Sequence, residues 1–99
     1  MSFIFMVLHW PEPDRRDALA QSMREMRDLL SATPGCLAVE PPYVTDDGYC
    51  LVGISKWESK EAFLGSGIKL RPPGEIADGE TRPRQRFLLE EADSPYSDP

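Results

Sequence analysis

The run Phe3-Ile4-Phe5-Met6-Val7-Leu8-His9-Trp10 limits what this chain can become more than any other segment. It is aromatic and partly β-branched, it stops at Pro11, and it reads as a strand. A half-exposed strand alternates apolar and polar residues, but this one does not. Phe3, Phe5 and Val7 project to one side and Ile4, Met6 and Leu8 to the other, so both faces require burial. Such a strand belongs in the middle of a sheet, with something packed on each side.

Around it, a simple order of elements follows. Pro11-Glu12-Pro13-Asp14 is a turn into a helix, with Asp14 the expected N-cap and Asp17 placed to favour the helix dipole. Leu19, Met23, Met26 and Leu30 recur at helical spacing and form the stripe expected to pack as core. Pro34-Gly35 stops that helix. Cys36–Val44 reads as a second strand whose Pro41-Pro42 confines it to a sheet edge or a bulge. Asp46-Asp47-Gly48 makes a hairpin turn. Tyr49–Trp57 is a third strand, again apolar on both faces at Cys50-Leu51-Val52-Gly53-Ile54. Ser59 is the expected N-cap of a short second helix that reaches Leu64 and ends at Gly65 and Gly67. The Pro/Gly-rich segment 68–81 is a long loop, and a loop of that length in a small domain is expected to be functional. Arg84–Glu90 is a fourth strand. Residues 1–92 form one domain, and 93–99 are expected to be a disordered acidic tail.

The order β-α-β-β-α-β predicts an α+β, ferredoxin-like fold: a four-stranded antiparallel sheet with two helices on one face. In that topology the first and third strands are central, and these are the two that are apolar on both faces. The proline-bearing second strand and the arginine-bearing fourth fall on the edges. The helices cover one sheet face only. The other is apolar too, which predicts a homodimer packed sheet to sheet.

Composition narrows the partners. A net charge of −6 argues against nucleic acid and against an anionic membrane surface. No apolar run approaches the roughly 18 residues of a membrane span. Phe3–Trp10 lacks the positive flank and small-residue cleavage site of a signal peptide. Cys36 and Cys50 make no disulfide framework, so a reduced, cytoplasmic protein is expected. One histidine and two cysteines, without close spacing, argue against a structural zinc site.

Three segments carry a family resemblance. Pro34-Gly35-Cys36-Leu37, the Asp46-Asp47-Gly48 hairpin and Trp57-Glu58-Ser59-Lys60-Glu61-Ala62-Phe63 occur in the order seen in the antibiotic biosynthesis monooxygenase family, which this chain resembles from Phe3 to Leu64. The resemblance implies a dimeric α/β barrel. Its quinone-forming members oxidise polyketide phenols without metal or flavin, with the tryptophan of the W-E-S motif in the pocket. Trp57 matches that tryptophan. Those members add an asparagine earlier on the same strand face, where this chain has Gly53, and a tyrosine where the second helix begins, where it has Phe63. The haem-degrading members use an asparagine on the first strand and a tryptophan and histidine in or after the second helix. Nothing here matches those, so haem degradation is disfavoured. The expectation is a cofactor-independent monooxygenase acting on an apolar or aromatic small molecule. A non-oxygenase binding or cyclase-like protein of the same architecture is the alternative.

Individual residues keep two readings. Trp57 is either a corner-packing core residue or an aromatic wall against a planar substrate, with Gly53 on the same face leaving room and Phe63 beside it. His9 is either structural or a base for a phenolic proton. No carboxylate at a recognisable spacing orients it. Arg82, Arg84 and Arg86 alternate along an edge strand, either solvated, or contacting an anion or substrate, or forming a cross-dimer salt link. If the 68–81 loop folds over the pocket, Arg71 meets an enolate or phenolate oxygen. Cys36 and Cys50 are expected to be small buried hydrophobes.

Overall fold

The computed structural model describes residues 2–92; the acidic tail expected at 93–99 lies outside them. Strand β1 (Phe3–His9) is followed by a single 3-10 turn, Pro13–Arg15, and helix α1 (Arg16–Ser31). Then come β2 (Cys36–Val39), β3 (Tyr43–Val44), β4 (Leu51–Trp57), the short α2 (Lys60–Leu64) and β5 (Gln85–Glu90). The sheet order is β2-β4-β1-β5, antiparallel, with β3 also paired to β4. The two strands apolar on both faces are thus the central pair, as the sequence predicts, and the proline and arginine strands are the edges.

Three local expectations are corrected. Asp14 does not cap α1, because Pro13 starts a 3-10 turn that runs straight into the helix, and no side chain caps either start. The second strand is not continuous: Glu40 still donates its N–H to Ile54 O at 2.9 Å, but Pro41 and Pro42 have no N–H to offer and the ladder breaks. Met23 and Met26 do not form helix core. Met23 is only partly buried and Met26 is 50% exposed. Ala20 is the one buried residue of α1.

The core lies instead at one end of the sheet. Phe3, Phe5, Trp57 and Phe63 are buried together. Phe63 stacks on Phe5 at 4.7 Å between ring centroids and meets Trp57 edge-on at 5.7 Å, the arrangements that aromatic quadrupoles favour. Ser59 holds α2 over this cluster, its Oγ accepting the Ala62 N–H at 3.0 Å.

Gly35 fixes the same corner from the other side. Its φ is +85°, and a Cβ there would stand 2.6 Å from Ala62 Cβ. Only glycine satisfies both the left-handed backbone and the close approach. The P-G-C turn and the W-E-S-x-E-A-F junction therefore touch. Gly35 O also accepts the Glu58 N–H at 2.9 Å.

Candidate active site

With the core gathered at the Trp57 end, the rest of α1 stands off the sheet. The gap is a cavity of about 620 Å³. From α1, Leu19, Met23, Met26 and Leu30 line it; from β1, Phe5, Val7 and His9; from β4, Gly53 and Ser55; from the loop, Ser66 to Lys69. The apolar stripe of α1 is thus real, but it faces a void rather than a packed core. Gly53 keeps that void open at the sheet. A Cβ there would stand 3.2 Å from Met23 Cε and 3.3 Å from Val7 Cγ1, so a larger residue would push both side chains into the space.

His9 is the polar centre of the cavity wall. It ends β1 on the same face as Phe5 and Val7, and it is 6% exposed. Its Nδ1 is inaccessible and lies 3.7 Å from Glu80 Oε1, too far for a hydrogen bond. The ring lines the cavity. Burial, followed by the positive charge of Arg84, lowers the imidazole pKa from 6.5 to about 4, and Glu80 opposes this only in part. Glu80 is largely neutralised by Arg84. The guanidinium donates Nε to Oε1 and Oε2 at 3.1 and 3.0 Å and Nη2 to Oε2 at 2.7 Å. The Glu80 side chain is 2% exposed and that of Arg84 29%. At neutral pH, His9 is therefore a neutral base with a buried carboxylate behind it. A carboxylate beside Nδ1 favours the tautomer with its proton there, which leaves Nε2 a lone pair.

The chain reaches this arrangement by tying the end of the long loop to the residues after β1. Glu80 forms an isolated bridge with Pro11. Thr81 donates its N–H to Trp10 O at 2.7 Å, and Glu12 donates to Gly79 O at 2.8 Å. Arg82 stacks on the Trp10 ring at 4.9 Å. Glu80 was not singled out in the sequence. One signal pointed to it: if β5 pairs antiparallel with β1, the residues just before β5 must pass the end of β1, where His9 sits. The register, with Leu8 opposite Gln85, does this.

The remaining sequence candidates divide. Gly53 lines the cavity. Trp57 does not stand against it: the indole is 0% exposed, sealed behind Phe63, and its Nε1–H is donated to Ser55 Oγ at 2.9 Å. Ser55, not Trp57, reaches the cavity wall. Phe63 is 2% exposed and belongs to the same core. Arg71 lies on the loop beyond, paired to Glu75 Oε1 at 2.8 Å. Arg84 is no solvated edge residue, being bound to Glu80. Burial pushes the thiols of Cys36 and Cys50 up, so neither is a ready nucleophile. Among the described residues no group of three His, Cys, Asp or Glu side chains is placed to hold a metal ion, and no helix is long and apolar enough to cross a membrane.

Comparison with known proteins settles the family. The sequence profile of the antibiotic biosynthesis monooxygenase family matches residues 2–66. The chain belongs to the antibiotic biosynthesis monooxygenase family. This monooxygenase-family chain shares its fold with Rv0793 from Mycobacterium tuberculosis, at a TM-score of 0.73 and 21% identity over 96% of this chain and 99% of that one. It is likewise similar to PA3566 from Pseudomonas aeruginosa (TM-score 0.69, 15% identity, 89% and 91% of the two chains). The monooxygenase from the gene ActVA-Orf6 of Streptomyces coelicolor, solved with the ligand nanaomycin D, aligns at 0.68 with 17% identity over 89% and 85%. None of the curated proteins matches this family member by sequence.

Proposed function

We propose that this chain is a cofactor-independent monooxygenase acting on an aromatic, polyketide-like small molecule. The observation that carries the reading is the mainly apolar cavity of about 620 Å³, with the chain's one histidine neutral in its wall. The volume lies in the range that encloses a multi-ring molecule.

The chemistry follows from the residues. His9 Nε2 accepts a proton from an electron-rich phenol or enol. Glu80, beside Nδ1, stabilises the imidazolium so formed, and Arg84 holds the Glu80 carboxylate in place. The resulting anion is a strong enough electron donor to reduce O₂ directly. For an anthrone-like ring methylene, one oxygen atom becomes the new carbonyl and the two hydrogens leave with the other as water. The substrate supplies all four electrons, so no outside reductant is consumed. The apolar walls keep solvent from the anion. Gly53 gives the rings room, Trp57 holds Ser55 in place, Phe63 supports the floor, and Arg71 closes the loop side.

The assembly we propose is a cytoplasmic homodimer joined through the face of the sheet opposite the helices. Ile4, Met6, Leu8, Val52 and Phe87 are only partly buried on that face in the single chain, and a second copy would cover them. A binding or cyclase-like protein is the second reading, favoured by the absence of a polar side chain at Gly53 and Phe63. Oxygen uptake by metal-free protein with anthrone-like phenols separates the two. Uptake is expected. Ligand binding without uptake across a broad panel would leave only the second reading.

A further inference from the structure

The main cavity does not end at His9. It shares Phe5, Val7, His9, Ile68, Lys69 and Arg84 with a second cavity of about 100 Å³ beneath the loop. There the walls change character. Arg71 and Arg86 join Lys69 and Arg84, and Glu75 is the one carboxylate in the lining. In a chain of net charge −6, this is a local reversal of sign.

Three of the four cations are only partly engaged or not engaged at all. Arg71 is taken up by Glu75 at 2.8 Å. Arg84 commits Nε and Nη2 to Glu80, which leaves Nη1 with no acceptor among the described residues. Lys69 and Arg86 make no ion pair among the described residues. Arg86 is partly buried and stands opposite Val7 on the helix-bearing face. A partly buried cation without a partner carries a desolvation cost that an anion would relieve. Arg84 is also pre-positioned, since the buried Glu80 grips it from behind and little side-chain freedom remains to be lost on binding.

We infer that the smaller cavity is a carboxylate subsite: the ligand is an aromatic acid whose rings fill the larger cavity and whose carboxylate is received by Arg84 Nη1, Lys69 and Arg86. This rests on the larger cavity being the ligand cavity proposed above. A flat carboxylate suits both the small volume and the planar guanidinium groups.

Calorimetric titration of the intact chain at neutral pH tests it, with an anthracene carboxylate, its neutral carboxamide and inorganic phosphate as probes. The acid is expected to bind at least about tenfold more tightly than the amide. In a Lys69→Gln/Arg86→Gln double variant, with Arg84 Nη1 still in place, the acid's advantage over the amide should shrink at least about threefold. Arg84 is left intact because its loss would strand Glu80. Equal binding of acid and amide to the unmodified chain overturns the subsite and leaves the apolar cavity standing. A preference for the acid that survives undiminished in the double variant overturns it as well. So does phosphate binding as tightly as the acid, which would mark a general anion site. If neither aromatic probe binds, both this inference and the ligand-cavity reading fall.

Discussion

Glu80 Oε1 lies 3.7 Å from His9 Nδ1 while the same carboxylate accepts three hydrogen-bonding contacts from Arg84. The carboxylate is thus shared between a fixed cation and an imidazole that has not yet taken up a proton. That sharing explains why burial wins over Glu80 and His9 stays neutral.

A stability consequence follows from the lowered His9 pKa, 6.5 in the unfolded chain against about 4 in the folded one. Between these values the unfolded chain binds the proton and the folded chain does not, so stability rises with pH across the window. The contribution is complete above the upper value and is lost as pH falls toward the lower one. In total it is on the order of 3 kcal/mol. Urea unfolding of the unmodified chain and of His9→Gln at pH values near the two ends of the window measures it. The unmodified chain should lose more stability on acidification than the variant, and equal losses would refute the assignment.

Glu80→Gln removes the negative half of the pair and leaves Arg84 as an uncompensated charge. Because Arg84 keeps 29% of its side chain exposed, the cost should be about 2 to 3 kcal/mol, below that of a fully buried pair. With only the Arg84 charge remaining, the His9 pKa should fall further. An NMR titration of the ring reads this directly.

At the Trp57 corner the expected effects are purely structural. Trp57→Phe loses the indole hydrogen bond to Ser55 and part of the packing against Phe63, at about 1–3 kcal/mol. Ligand affinity per folded molecule should stay the same. Gly35→Ala should cost at least about 2 kcal/mol, because it adds a left-handed strain to the clash with Ala62. Chemical denaturation of both variants, with ligand titration of the first, checks these values.

The sheet face opposite the helices gives the assembly prediction. Sedimentation at micromolar concentration should find a species of twice the chain mass. Met6→Lys, at the middle of that face, should shift it toward monomer. A dimer insensitive to this substitution would place the interface elsewhere.

How far the sequence could be read depended on the range of the interaction. Phe3–Leu8 and Cys50–Ile54 announced the central strands because two-sided apolarity is a local pattern. Ser59 announced the α2 start for the same reason. Pro41-Pro42 announced the edge, though not the break after Val39. The cavity was legible only as a stripe on α1, since whether Met23 and Met26 meet a core or a void depends on where the aromatic cluster collects. Trp57 was ambiguous for the same reason: Phe63 and α2 decide its burial, and they come from a separate element. The Glu80–His9 contact leaves no local mark in the sequence. It joins distant segments through a loop whose path no local pattern encodes, and only the β1–β5 register brings them together.

The central claim is that His9 is the base of a cofactor-independent oxygenation. The direct measurement is oxygen uptake by metal-free protein with an anthrone-like phenol at neutral pH, comparing the unmodified chain with His9→Gln. The account predicts one O₂ consumed per quinone formed, and a rate lowered at least about a hundredfold in the variant while ligand affinity is largely retained. Uptake that is equally fast without His9 would contradict it.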